Sequence, residues 1–309
     1  MRVVITGAAG LVGQNLVARL KQRPGYEIIG IDKHPANTQT LRELHPDVTV
    51  VETDMAEPGA WTAALDGADA VVIGHAQIGG LIEGEFKRNN LDATGRLLDA
   101  LSARRDCYLV HVSSSVVNSA AVNFYTETKK AQEAMVLSAG YPTVVLRPTL
   151  MFGWFDRKHL GWLARFMQRA PVFPVPGNGQ YVRQPLYAGD FCNIILSALE
   201  SRVSAAAHNI SGQEHIAYID LIRLVREAVR ARALIVRVPY VLFQAMLATY
   251  ALVDRNPPFT TKQLAALATP EVFEVIDWPG IFGVRATPLR EAILETFRDP
   301  RYAAVALEF

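Results

Sequence analysis

Arg2-Val-Val-Ile-Thr-Gly-Ala-Ala-Gly-Leu-Val-Gly13 opens the sequence: an apolar run, glycines at 7, 10 and 13, and a helical pattern from Gly13 to Leu20. Each glycine has its own task. The first permits a tight strand-to-helix turn, the second lets backbone approach a pyrophosphate, and the third lets helix pack on strand. A phosphate placed there meets N–H groups without helical partners at the positive end of the helix dipole. A second apolar strand, Glu27-Ile-Ile-Gly-Ile31, ends at Asp32, 19 residues past Gly13, where a carboxylate can accept from ribose hydroxyls. Its charge would repel a 2′-phosphate and so favours NAD over NADP, although Lys33 and His34 partly offset that repulsion.

Outward from this opening, apolar strands at 2–6, 27–31, 48–52, 69–74, 107–112 and 143–147 alternate with helical patterns. Strand, helix, strand in series means a parallel sheet covered on both faces. The expected class is α/β, with a doubly wound parallel sheet of Rossmann type over residues 1–150 and residues 185–212 returning to it. A smaller, mostly helical substrate lobe is expected over 151–309. There, Pro171-Val-Phe-Pro-Val-Pro-Gly-Asn-Gly179 reads as loop and turn, followed by helices at 189–200, 218–231, 238–253, 260–268 and 287–297 and a strand at 207–210.

Composition narrows the function classes. The 309 residues are half apolar and carry 31 Lys plus Arg against 30 Asp plus Glu, so no global field favours nucleic acid or an anionic membrane. Cys107 and Cys192 form no CxxC pattern, which argues against a disulfide framework or a zinc site and for a reducing, cytoplasmic compartment. The seven histidines lack metal-ligand spacing, and His111 within a strand reads as a core residue. The apolar block Val238 to Val253 is short for a membrane span and contains Pro239; it reads as a buried helix rather than a membrane-surface contact.

Chemistry gathers later. Tyr125 and Lys129, four apart in a helical segment from Phe124 to Val136, project from one helix face. Ser113, Ser114 and Ser115 follow the strand Cys107 to Val112 at its carboxyl end, where ligands bind in doubly wound sheets. A free phenol titrates near pH ~10, so Tyr125 needs the Lys129 ammonium and a positive nicotinamide to become a base near neutrality. A serine would hydrogen-bond the hydroxyl or carbonyl being oxidised or reduced. Strand register favours Ser114, with Ser113 on the other face and Ser115 capping a turn. Glu127 and Glu133 are read as facing elsewhere on the helix.

These residues, with Asp54-Met55, His75-Ala76, Asn90-Leu-Asp-Ala-Thr94, Leu146-Arg-Pro-Thr-Leu-Met-Phe-Gly153, Gly177-Asn-Gly-Gln-Tyr-Val-Arg183 and Tyr187-Ala-Gly-Asp190, resemble an extended or atypical short-chain dehydrogenase/reductase of the nucleotide-sugar epimerase/dehydratase superfamily. The resemblance implies NAD held by Gly7, Ala9, Gly10, Leu11, Val12, Gly13, Asp32, Lys33, Asp54, Met55, His75, Ala76, Gln77, Asn90, Val112, Ser113, Tyr125, Lys129, Pro148, Thr149 and Leu150. Asp54 and Met55 would sit beside the adenine, Ala76 along the cofactor, and Pro148 to Leu150 near the nicotinamide. It implies Ser114, Tyr125 and Lys129 as catalytic residues and Ser114, Ser115 and Arg183 as substrate contacts. The arginine would lie on the diphosphate of a nucleotide sugar, to which its fork is suited.

Two departures stand out. Ser114 precedes Tyr125 by only 11 residues, and Asn118-Ser119 replaces the family's Tyr-Gly pair, so the active-site loop is truncated. That shortening, with Pro257-Pro258 and the ending Gly283-Val-Arg-Ala-Thr-Pro288, is similar to the branch containing the dehydrogenase-like accessory subunit of respiratory complex I. An epimerase or ketoreductase is expected ahead of a dehydratase, because Ser115-Val-Val-Asn118 supplies no additional acid. Alternatives are a non-catalytic dinucleotide-binding subunit, or a reductase of a lipid or terpenoid ketone suggested by Trp154, Phe155, Trp162 and Phe166. The resemblance implies a homodimer; charge balance and hydropathy argue against a nucleic-acid partner and a membrane span.

Overall fold

Runs of β-branched residues, buried on both faces, build the centre of the molecule. The computed structural model describes residues 1–120, 122–204, 206–253, 264 and 273–308. Six strands form the first half: β1 (Arg2–Thr6), β2 (Glu27–Asp32), β3 (Thr49–Glu52), β4 (Ala70–Ile73), β5 (Tyr108–Val112) and β6 (Thr143–Pro148). Seven more follow: β7 (Met151–Phe152), β8 (Val172–Pro176), β9 (Val182–Arg183), β10 (Leu186–Tyr187), β11 (Ala206–Ile210), β12 (Ile216–Ala217) and β13 (Leu234–Val238). The main sheet has seven parallel strands in the order β11-β6-β5-β4-β1-β2-β3. Strand order reverses between β1 and β4, the crevice where doubly wound sheets bind ligands.

Helices α1 (Leu11–Leu20) and α2 (Pro35–Leu44) follow β1 and β2. After β4, α3 (Glu83–Phe86), a π-helical stretch at Lys87–Asp92 and α4 (Ala93–Ala100) run on without a break. The others are α5 (Phe124–Ser138), α6 (Leu160–Arg169), α7 (Ala188–Ser201), α8 (Tyr218–Ala228), α9 (Tyr240–Val253), α10 (Trp278–Phe282) and α11 (Leu289–Arg298). Alternation along β1 divides the core: Val3 and Ile5 pack with Leu16 and Phe191 on one face, Val4 with Leu97 and Val136 on the other. A separate core joins α6, α8 and α11 to Phe173 and Val175 of β8.

Two expectations change. The block read as a buried helix does form α9, yet Val241, Leu242 and Met246 are 77%, 53% and 50% exposed while Phe243 is buried. Apolar composition without an amphipathic stripe says that a helix is hydrophobic and not which neighbour covers it. Trp154 and Phe155, taken as suggesting an apolar substrate, are buried against Tyr302, with ring centroids 4.6 and 5.5 Å away. The helix expected at 260–268 lies outside the described residues apart from Leu264.

The last described residues close back on the first helices. Arg19 of α1 donates to the Tyr187 hydroxyl at 2.9 Å and to Glu295 of α11 at 3.0 Å, with its guanidinium 4.8 Å from the Trp154 ring centroid. Asn37 and Glu308 exchange two hydrogen bonds of 2.8 Å, the Asn37 amide matched to the C=O and N–H of the Glu308 backbone.

Candidate active site

The glycine turn is built as its spacing demands. Gly7 has φ +69°, and a Cβ there would lie 2.8 Å from the backbone of Gly74 and His75. A Cβ on Gly13 would come within 2.4 Å of the Gly7 carbonyl oxygen and 2.5 Å of Ala8. Gly10 precedes α1 with extended backbone and offers no hydroxyl or carboxylate to its first N–H groups, and the first turn holds no acid. The N–H groups of Leu11, Val12 and Gly13 therefore stand at an open, positive helix end, which fits a dinucleotide pyrophosphate. Asp32 accepts from Ala9 N–H at 2.9 Å and His34 N–H at 3.1 Å, so the carboxylate also holds the glycine turn against the end of β2.

Beyond Asp32 lies a charged edge. Lys33 Nζ donates to Asn89 Oδ1 at 2.6 Å and reaches Asp54 at 3.5 Å, while Arg88 pairs with Asp54 and, at 2.6 Å, with Glu57. Partial burial would raise the Asp54 carboxyl, but Arg88, the Ala56 N–H and Lys33 outweigh it and hold it below the usual range. Arg88 was not found from sequence; an isolated arginine carries no motif, and its place depends on the fold. The Met55 side chain is buried in the core, so a contact with adenine would come through its backbone.

Ser114 caps the short turn Ser115–Asn118, accepting from Val116 N–H at 3.4 Å, and its hydroxyl lies beside the Tyr125 phenol. Tyr125 occupies the first turn of α5, which is fixed by Asn123 accepting from Thr126 N–H at 3.0 Å. One turn on, Lys129 is 1% exposed and donates to the Val112 carbonyl at 3.0 Å and Gln132 Oε1 at 2.7 Å. Burial pushes its ammonium down to about 7, against an opposing pull from Glu133. The Tyr125 phenol is raised by burial, with Ser114 lowering it in part. This differs from the expectation that Lys129 acidifies the phenol: a lysine held at Val112 and Gln132, and half neutral near pH 7, supplies little field.

Glu133 is a correction. It lies one turn beyond Lys129 on the same face, is 6% exposed, accepts from Ser113 Oγ at 2.5 Å and pairs with Arg147 of β6. The i, i+4 rule applied to Lys129 would have placed it there. Glu127 is exposed, 3.6 Å from Lys130.

Behind Lys129 a polar network joins α5, α4, the π-helical stretch and β1. Gln132 donates to Thr94 Oγ1 at 2.9 Å, and Thr94 donates to the Asn90 carbonyl at 2.7 Å. His75 meets Thr94 through Nε2 at 2.9 Å and Thr6 through Nδ1 at 2.7 Å. Since the Thr94 proton is used on Asn90, the consistent tautomer carries hydrogen on Nε2 and accepts from Thr6 at Nδ1. Burial first and Lys129 second push that imidazole down to about 3. Asn90, expected at the cofactor, spends its amide inside the protein, accepting from Gln77 N–H at 2.6 Å and donating to Thr128 at 2.9 Å. It tethers the loop after β4 to α5.

At the end of β6, Pro148 pairs with Ile210, Thr149 is buried with a hydroxyl that has no hydrogen-bond partner among the described residues, and Leu150 is exposed. An orphaned hydroxyl there is free to meet a bound group. His111 is fully buried and neutral, as a core residue. Arg183 is 8% exposed and sits in the β9/β12 ribbon. Exposed apolar side groups border the carboxyl ends of β4 to β6: Ile78, Leu81 (94%) and Ile82 after β4, Val122 (85%) and Phe124 at the start of α5, and Leu150. The Phe86 and Phe124 rings, 5.9 Å apart, bring the first two groups together.

The profile of the NAD dependent epimerase/dehydratase family matches residues 3–211. A ceramide reductase from Caulobacter vibrioides is 31% identical over 180 residues, covering 56% of this chain and 53% of the reductase. A 3 beta-hydroxysteroid dehydrogenase/Delta 5-->4-isomerase from Mycobacterium tuberculosis is 29% identical over 184 residues, covering 50% of this chain and 48% of that enzyme. The protein thus spans about half the length of these curated relatives. Among solved structures, UDP-glucuronic acid 4-epimerase from Bacillus cereus in complex with NAD superposes with a TM-score of 0.74 at 20% identity, covering 97% of this chain and 96% of that one.

Proposed function

The protein belongs to the NAD-dependent epimerase/dehydratase family, and from that premise we propose that it moves hydride between NAD and a carbon bearing a hydroxyl or keto group. The observation that carries this reading is the grouping of Ser114, Tyr125 and Lys129: a hydroxyl beside a phenol, with a lysine one turn behind that is buried and held at Val112 and Gln132. NAD, when bound, supplies the two-electron hydride acceptor or, reduced, the donor. The glycine turn, the open end of α1 and Asp32 would hold it. Ser114 would fix the reacting oxygen by a hydrogen bond, and Tyr125 would take or give that oxygen's proton. A phenol raised by burial is protonated at neutral pH, the form that gives a proton to the reacting oxygen when a ketone is reduced; oxidation of a hydroxyl would start from the phenolate. Lys129 would relay charge, since it gains or loses a proton at little cost near pH 7.

On substrate, Arg183 supports a nucleotide-linked sugar, with its guanidinium on the diphosphate and epimerisation or ketone reduction as the outcome. Glu133 stands beside Ser113 but is committed to Arg147, so among the described residues it is not an independent acid for elimination. A second reading, an apolar ketone or alcohol, is favoured by the exposed Ile78, Leu81, Ile82, Val122, Phe124 and Leu150. The test is to screen UDP- and dTDP-sugars and long-chain ketones with NADH and NAD at the reduced-nicotinamide absorbance. Tyr125→Phe is expected to lower kcat on the order of a hundredfold or more while NAD affinity is kept. Unchanged turnover in that variant overturns the acid–base assignment.

A further inference from the structure

A second face of the molecule is unused by this chemistry. In the β8/β13 ribbon Phe173 and Val175 turn into the core, while Val172, Leu234 and Val236 on the opposite face are 41%, 65% and 42% exposed. Val172 lies opposite Leu234 and Pro174 opposite Val236, so the strip is continuous across both strands. The ribbon leads through Pro239 into α9, and residues 239–253 contain no Asp, Glu, Lys or Arg. Val241, Leu242 and Met246 of that helix are exposed.

Arginines line two cavities along the ribbon, with Arg237 in register with Val175. A cavity of about 540 Å³ is lined by Arg223, Arg226 and Arg237 together with Leu234 and Val236. A neighbouring one of about 410 Å³ is lined by Arg169, Arg230 and Arg232. The acids nearby are Asp220, 2.7 Å from Arg223, and Glu227, which is paired with Arg290. In a protein with 31 basic and 30 acidic residues, this is a local excess of positive charge.

We propose that the β8/β13 ribbon and α9 form a peripheral docking surface for an anionic phospholipid bilayer. Exposed apolar groups would enter the boundary between headgroups and acyl tails, and the guanidiniums would pair with lipid phosphates. A second copy of this protein fits less well, because a two-fold contact would bring the same arginines face to face. No helix among the described residues is long and apolar enough to cross a membrane, so the contact lies on the surface.

Co-sedimentation of the 309-residue protein with phosphatidylcholine vesicles, with and without phosphatidylserine, tests this. Binding is expected with phosphatidylserine, weakening as salt rises. Arg232→Ala with Arg237→Ala is expected to reduce the partition coefficient on the order of 30-fold. Leu242→Asp should abolish binding, with a native circular dichroism spectrum confirming the fold; the arginine pair serves as the readout if that variant fails to fold. Absence of binding to either vesicle, equal binding to both, or gel filtration in which Leu242→Asp converts a dimer to monomer would overturn the proposal.

Discussion

Replacing Lys129 by methionine should change how stability depends on pH. In the folded protein the ammonium is buried and titrates at about 7, whereas an exposed lysine titrates at 10.5. The folded value is the lower one, so between the two values the unfolded state binds more protons, and wild-type stability rises with pH through that window. Below pH 7 the penalty for burying the charge is fully present and amounts to roughly 5 kcal/mol, at ~1.36 kcal/mol for each pH unit separating the two values. Between pH 7 and ~9.5 about 3 kcal/mol of it is recovered. The thioether of the variant has no proton to lose. Its missing hydrogen bonds to Val112 and Gln132 are a cost that does not vary with pH, so the difference between the two proteins isolates the lysine. Urea unfolding of both at pH 7, 8 and 9.5 gives the curve. The wild type should gain about 3 kcal/mol on the variant across that range. A difference flat across the range would show that Lys129 keeps an ordinary pKa, and the reasoning from its burial would fail.

Gly13→Ala forces a Cβ within 2.4 Å of the Gly7 carbonyl and should cost about 1–3 kcal/mol and weaken NAD binding, whereas Gly84→Ala, with open space around it, should be neutral or stabilising by thermal melting. Equal melting temperatures for the two would contradict the packing of the turn. Glu133→Ala leaves Arg147 and Ser113 without their buried partner and should destabilise by about 3 kcal/mol in urea unfolding. A loss within experimental error would show that the pair is not structural.

Strands and the glycine turn were legible because they rest on local rules: β-branched runs such as Val71-Val-Ile73, and glycines whose spacing answers backbone sterics at Gly7 and Gly13. The position of Tyr125 and Lys129 on one face was legible for the same reason. What Lys129 does electrostatically was not, because its pKa follows from the Val112 carbonyl, Gln132 and the exclusion of water, all of which the tertiary fold decides. Glu133 was within reach of the spacing rule and was misplaced. Asn90 and His75 were read as cofactor contacts, but the π-helical stretch that brings Asn90 to Gln77 and Thr128 has no sequence periodicity of its own. For α9, sixteen apolar-rich residues from Val238 to Val253 pointed to the helix and misled on its burial, since covering it requires a partner that composition does not name.

The hydrogen bonds between Asn37 and Glu308, and the reach of Arg19 to Glu295, have a consequence for biosynthesis. Translation delivers the parallel sheet early, but α1 and α2 keep exposed the surfaces that residues 295–308 will cover until those residues leave the ribosome tunnel. Nascent polypeptides stalled short of that point should therefore present a protease-sensitive α2 on an otherwise finished sheet.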